Sequence, residues 1–434
     1  MSKSFLYFIC CVSAMGGLLF GYDWVVIGGA KPFYELYFGI SDTPYMQGLA
    51  MTTANLGCLA GAMVAGMMAD RFGRKPLLQI AAMFFTVSAI ATGCFNDFFL
   101  FNIARFIGGV GIGVASALSP MYIAEVSPAE IRGRLVSLNQ MTIVLGILMA
   151  QIVNMLLAEP VDEFLSLEDQ LKTWNVGQGW RWMFWAETLP AALFLIMSFF
   201  IPESPVYEQI KLQSDQQSHL QRVGLKELFD HKYSRILTLG LVIAVFQQWC
   251  GTNVIFNYAQ EIFEGAGYSV DGMFINIVIT GIANVVFTFV ALYTVEKWGR
   301  RTLMLIGSLG LGLIYLVLGT CYFLHVEGFV MVALVVLGIS CYAMTLAPVT
   351  WVLLAEIFPN RIRAVAMATC TFALWVGCCT LTYTFPVMNA SLGSYGSFWI
   401  YALICLSAYV YLYRYCPETK GVSLTELENK LINK

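Results

Sequence analysis

What most constrains this chain is its series of long apolar stretches. A helix crossing a bilayer needs ~20 mostly apolar residues. The sequence cuts into twelve such stretches with short polar breaks between them: 5–30, 46–69, 76–96, 98–124, 134–158, 181–201, 234–263, 272–295, 302–324, 328–355, 363–390 and 395–416. Of the 434 residues 59% are hydrophobic and 12% charged, against about 25% charged in an ordinary soluble domain. A water-soluble globule is excluded, and an all-α membrane protein with twelve transmembrane helices is expected. The first stretch ends in Gly28, Gly29 and Ala30, small residues like those of a cleavage site. It is longer than a signal-peptide core and carries Asp23, so it is expected to be retained.

The net charge of −3 points to no partner, and nothing in the sequence suggests nucleic acid. The placement of charge says more. Lys and Arg concentrate in alternate loops, among them Arg71, Arg74, Lys75, Arg132, Arg134, Lys297, Arg300, Arg301, Arg361 and Arg363. The positive-inside rule makes that side cytoplasmic and places both termini there, in a multi-pass protein of the cell (inner or plasma) membrane. Lys31 and Lys172 then fall outside.

Two loop motifs occur once in each half. GMMADRFGRK, with Asp70 and Arg74, follows the second stretch, and EKWGRR, with Glu296 and Arg300, follows the eighth. AEVSPAEIR, with Glu125 and Arg132, follows the fourth, and AEIFPNRIR, with Glu356 and Arg363, follows the tenth. A third pair, PESP at 202–205 and PETK at 417–420, closes stretches six and twelve. A six-helix unit used twice implies two halves, 1–201 and 236–416, joined by a cytoplasmic linker at 202–235 and followed by a tail at 417–434. Val223, Leu225, Leu228 and Phe229 suggest a short amphipathic helix in that linker. Parallel repeats of this kind imply a carrier whose halves rock about a central site. The recurring acids and bases form a candidate cytoplasmic gate, since topology-setting charge alone accounts for the cations but not for the acids.

Asp23, in GLLFGYDWVVIGG, is the outlier of the first stretch. An acid at the centre of a membrane helix costs ~2.5–3.5 kcal/mol on insertion scales, so it needs a partner or a proton. Arg105 in the fourth stretch and Glu187 in the sixth are the intramembrane candidates. Pairing with Arg105 favours the charged acid, whereas loss of water favours the neutral one. An acid under opposed influences is suited to changing its protonation as its surroundings rearrange.

In the loop motifs, in RFIGGVGIGVASALSPMYIAE, FQQWCGTN and WVLLAEIFPN, and in PESP and PETKG, the chain closely resembles the sugar porter branch of the major facilitator superfamily over essentially its whole length. The resemblance implies the major facilitator fold, alternating access, and a monosaccharide, pentose or hexose, bound between the halves of a protein working as a monomer in the lipid bilayer. By position it implies sugar contacts at Gln140, Gln247, Gln248, Asn253, Asn284, Trp351 and Trp375, with Phe20 lining the cavity. The chemistry agrees: a neutral amide donates and accepts, as sugar hydroxyls do, and an indole packs on the C–H face of a sugar ring. Proton symporters of the family resemble this chain in having Asp in FGYD. Asp23 is therefore expected to bind the coupling proton, with Arg105 as its switchable counter-ion and Glu187 adjusting the pair.

The chain departs from the family pattern at Ile147, where xylose–proton symporters have a second Gln, and at Asn257, Ala347, Leu374 and Val206. These positions leave the particular sugar open. An uncoupled sugar facilitator and a non-transporting sugar sensor are the alternatives. No enzyme motif is present, and GxxxxGK[ST] is absent, so no ATP-driven step is expected within the chain. No cofactor or metal is expected beyond the proton; the twelve cysteines show no CxxC spacing and are read as packing residues.

Overall fold

The computed structural model describes residues 3–128, 131–160, 166–208, 232–359 and 362–420. These are helical, with no strand among them. The first half contains α1 (Lys3–Phe38), α2 (Pro44–Phe72), α3 (Arg74–Cys94), α4 (Phe98–Val126), α5 (Arg132–Leu157), α6 (Trp180–Trp185) and α7 (Thr188–Ser198). The second contains α8 (Ser234–Trp249), α9 (Thr252–Asn257), α10 (Ala259–Glu264), α11 (Val270–Trp298), α12 (Arg300–Phe323), α13 (Phe329–Met344), α14 (Leu346–Ile357) and α15 (Arg363–Tyr415). The chain packs as two units, Met1–Leu220 with Ser269–Gly281, and Gln221–Tyr268 with Ile282–Lys434. The amphipathic helix expected in the linker lies outside the described residues.

Ten helices among the described residues are long and apolar enough to cross a membrane, where the sequence predicts twelve. The difference has two sources. The sixth predicted stretch is interrupted: a π-turn at Asn175–Gly179 leads into α6, and α6 gives way to α7 at Ala186 and Glu187, whose φ and ψ stay helical. The eleventh and twelfth stretches, predicted at 363–390 and 395–416, are two helices that meet at Gly393, whose φ of 70° and ψ of 171° are not helical, and that are counted together in α15. The interruption at Ala186 and Glu187 lies inside an apolar run and is invisible to hydropathy, whereas Gly393 lies in the break predicted between 390 and 395.

Glycine sets the helix contacts of the first unit. A Cβ on Gly57 or Gly61 of α2 would strike the carbonyl oxygens of Phe106 and Val110, and one on Gly109 or Gly113 of α4 would strike those of Ala54 and Cys58. Two small-xxx-small faces thus meet backbone to backbone, the packing available where lipid removes any hydrophobic drive between helices. Helices α1 and α5 meet the same way, through Gly21 on the carbonyl of Ile143 and Gly146 on that of Leu18.

At 36 residues, α1 would reach about 54 Å at 1.5 Å per residue, well past the ~30 Å hydrocarbon core. It carries Lys31, which the sequence leaves in an outer loop, on into the helix. There Lys31 is buried and pairs with Glu35 at 2.9 Å. One helical turn puts the acid over the base.

Candidate functional site

In the first unit the polar centre is built on α1, α4 and the interrupted sixth stretch. Arg105 donates from Nη1 to the Asp23 carboxylate and from Nη2 to the Asp23 carbonyl oxygen at 3.2 Å. Both side chains are about 1% exposed. The guanidinium also lies 5.4 Å from the centre of the Phe184 ring. Gly108 of α4 makes room for the acid: a Cβ there would stand 2.9 Å from Asp23 Oδ2 and strike Ser88 Oγ. Ser88 is turned the other way, donating to the Ala104 carbonyl at 2.8 Å.

Glu187 stands between α6 and α7, immediately before the first turn of α7. It is 2% exposed, its Oε1 has no hydrogen-bond partner among the described residues, and it is close enough to feel the charges of both Asp23 and Arg105. Asp23 Oδ2 is likewise without a partner among them. Two buried carboxylates therefore lie near one guanidinium, which bonds Asp23. With all three groups ionised the cluster carries one uncompensated negative charge, which burial penalises severely.

The second unit holds a neutral centre. Asn253 donates to Gln248 Oε1, Gln248 donates to Gln247 Oε1 at 2.6 Å, and Gln247 donates to the Tyr342 hydroxyl at 2.6 Å. The chain of bonds forms because the seventh stretch breaks at Gly251, whose φ of 88° suits a residue without a Cβ. That turn brings α9, and Asn253 with it, back onto the end of α8. A Cβ at Gly251 would also press on the Tyr401 ring at 2.9 Å. Asn284 and Trp375 are buried in the same unit, while Trp351 is 39% exposed. Gln140 and Phe20 belong to the first unit and are half-buried, Phe20 lying edge-on to Trp24 at 5.8 Å. Of the departures, Ile147, Asn257 and Leu374 are buried, and the Val206 amide donates to Ser204 Oγ at 3.2 Å.

The gate candidates form one arrangement twice. Arg74 forks onto Glu125 through Nε and Nη2, at 3.0 and 2.9 Å. Arg300 reaches Glu356 at 3.1 Å. Ser204 hydrogen-bonds Glu125, and Thr419 hydrogen-bonds Glu356. Glu203 accepts from the backbone amides of Arg74 and Lys75 at 2.9 and 3.2 Å, and Glu418 from those of Arg300 and Arg301 at 3.0 and 3.2 Å. Each glutamate thus closes the open N-terminus of a long helix. Gly73 (φ 93°) and Gly299 (φ 86°) precede those termini, and a Cβ on either would strike the capping carboxylate. Each of these pairs joins residues of one unit. Arg363 donates from Nε to the Phe358 carbonyl at 3.1 Å, and its Nη2 has no partner among the described residues. The side chains of Asp70, Arg132 and Glu296 lie outside the described residues.

Sequence reasoning missed several of these groups. Glu203, Ser204, Glu418 and Thr419 are visible as the repeated PESP and PETK, but nothing in the motif says that its acid caps a helix far away in the chain. Glu35 follows Lys31 by four residues, a detectable helical pairing. Tyr342 carries no signal, being one aromatic in an apolar run.

Repeated helical units carrying buried polar clusters at membrane depth define a membrane carrier. Comparison with known proteins gives the family: the model described as "Sugar (and other) transporter" matches residues 9–222 and 208–431. The chain belongs to this sugar porter family of the major facilitator superfamily, a family of transporters rather than enzymes. It is 34% identical to the D-xylose-proton symporter of Escherichia coli over 98% of this chain and 96% of that one. It is 33% identical to the arabinose-proton symporter of Bacillus subtilis over 98% and 95%. Its fold matches the inward-open conformation of the xylose transporter XylE from E. coli with a TM-score of 0.83, at 34% identity, covering 98% of this chain and 99% of that one. The major facilitator fold and a multi-pass membrane location follow.

Proposed function

We propose that the protein is a secondary active transporter that takes up a monosaccharide, pentose or hexose, together with a proton by alternating access. The observation that carries the proton is the buried charge cluster: Asp23 and Glu187 are both buried, Arg105 pairs with Asp23, and Glu187 lies close enough to feel both charges. One proton on the cluster removes the uncompensated charge. When Asp23 takes it up, the acid no longer holds Arg105, and Glu187 becomes the counter-ion that keeps the guanidinium neutralised. Loss of the proton restores the Asp23–Arg105 pair. The proton gradient then drives sugar accumulation, with no cofactor, in a monomer of the plasma membrane with both termini cytoplasmic.

The sugar reading rests on family membership and on the amides at Gln140, Gln247, Gln248, Asn253 and Asn284, with Trp351 and Trp375 as flat apolar surfaces for the sugar ring. Two relatives in the family are proton symporters of xylose and arabinose, which supports the coupled reading over an uncoupled facilitator. The test is Asp23→Asn in cells supplied with labelled monosaccharides, with and without a protonophore. Wild-type uptake should exceed the external concentration and collapse with the protonophore. The variant should only equilibrate sugar. Accumulation that survives Asp23→Asn unaltered assigns the coupling elsewhere.

A further inference from the structure

On α5, Ile147 and Gln151 each fall within about 20° of Gln140 around the helix axis, because 7 and 11 residues are close to whole numbers of turns. Gln140 is a proposed sugar contact, and Ile147 is where xylose–proton symporters place a second amide. Gln151 lies one turn beyond Ile147. It is 1% exposed, and its Oε1 has no hydrogen-bond partner among the described residues. A buried amide oxygen left unpaired costs about 1–3 kcal/mol. An amide that glues helices makes a bond across them, and this oxygen makes none. A position needing only packing is filled better by leucine or methionine.

Its seat agrees. Gln151 Oε1 occupies the space that a Cβ on Gly281 of α11 would take, with Leu148 Cδ1 at 3.1 Å from that point. The amide therefore rests on bare backbone. One turn further along α5, Asn154 donates to the Val26 carbonyl at 3.1 Å, and its Oδ1 also lacks a partner among the described residues. Two unsatisfied acceptors on successive turns match a ligand rich in hydroxyl donors.

We propose that Gln151 is a specificity-determining sugar contact, an amide that accepts a hydrogen bond from a sugar hydroxyl and replaces, one turn along α5, the amide that Ile147 lacks. The inference rests on the sugar-transport reading. The amide is parked on Gly281 in the arrangement seen and meets the sugar when the carrier is loaded.

The experiment uses the full-length protein in proteoliposomes, with wild type, Gln151→Leu and Gln151→Asn. Initial rates are taken for the best monosaccharide of a panel and for its singly deoxygenated analogues, and unfolding is followed without sugar. Gln151→Leu should raise KM about 3- to 10-fold with kcat within about 2-fold, and should flatten the discrimination against one deoxysugar only. Gln151→Asn should restore part of the affinity. Sugar-free stability should hold or rise in the leucine variant, since an unpaired buried acceptor is removed. An unchanged KM and unchanged deoxysugar pattern overturns the proposal, as does a large loss of sugar-free stability, which would make Gln151 a packing residue. Wild-type protein that moves no monosaccharide overturns the sugar-transport reading and this proposal with it, a result visible before any variant is compared.

Discussion

The two units keep their polar groups in different chemical forms. The first buries charge, as Asp23, Arg105 and Glu187, in a cluster short of one cation. The second buries dipoles, as Asn253, Gln248, Gln247 and Tyr342, joined in a chain of three hydrogen bonds. A charge cluster responds to a single proton by rearranging its pairs. A string of amides keeps its net charge whatever the pH and can exchange internal hydrogen bonds for bonds to a hydroxylated ligand at little cost. A duplicated scaffold has thus been given one centre suited to energy coupling and one suited to recognition.

The sharpest way to break this contrast is Arg105→Met. Removing the cation leaves two buried acids near each other, and breaking such a pair costs about 3–5 kcal/mol. Unfolding of the purified protein should show that loss, and Arg105→Met combined with Asp23→Asn should recover part of it. Next in size is Gln248→Leu, which interrupts the run of amides. It should raise the sugar KM about 10-fold while uptake stays sensitive to protonophore; a variant with normal KM and lost coupling would reverse the assignment of the two centres. The smallest effects probe what the units share. Gly73→Ala and Gly299→Ala should each cost at least about 1–3 kcal/mol through a backbone conformation essentially reserved for glycine and the clash with the capping carboxylate, nearly equally, in parallel unfolding measurements. Unequal losses would show that the repeated caps do different jobs.

The fold is largely legible in the sequence because its signals are local. Apolar length gives the spans, and the repeated Arg74/Arg300 and Glu125/Glu356 motifs give the duplication. Asp23 is legible as an anomaly, and burial leaves it few partners. The interruption of the sixth stretch at Ala186 and Glu187 is not, since hydropathy reports what surrounds a segment rather than its hydrogen-bond pattern, while the kink at Gly393 falls in the gap predicted between 390 and 395. The capping glutamates and Tyr342 depend on residues far apart in the chain meeting in space. Lys31 is misplaced in an outer loop when charges are counted as boundaries. A lysine whose partner lies one turn along can continue a helix instead.

The reciprocal glycine contacts of α1 and α5 carry a mechanical consequence. Gly21, two residues before Asp23, and Gly146 hold the two backbones in register, so neither helix can slide along the other without a clash. A displacement at the acid on α1 is passed to the face of α5 bearing Gln140 with little slack. Enlarging either glycine would touch neither proton nor sugar, yet it would loosen that linkage like a slipping clutch. The expected symptom is a falling number of sugars moved per proton, with both ligands still bound normally.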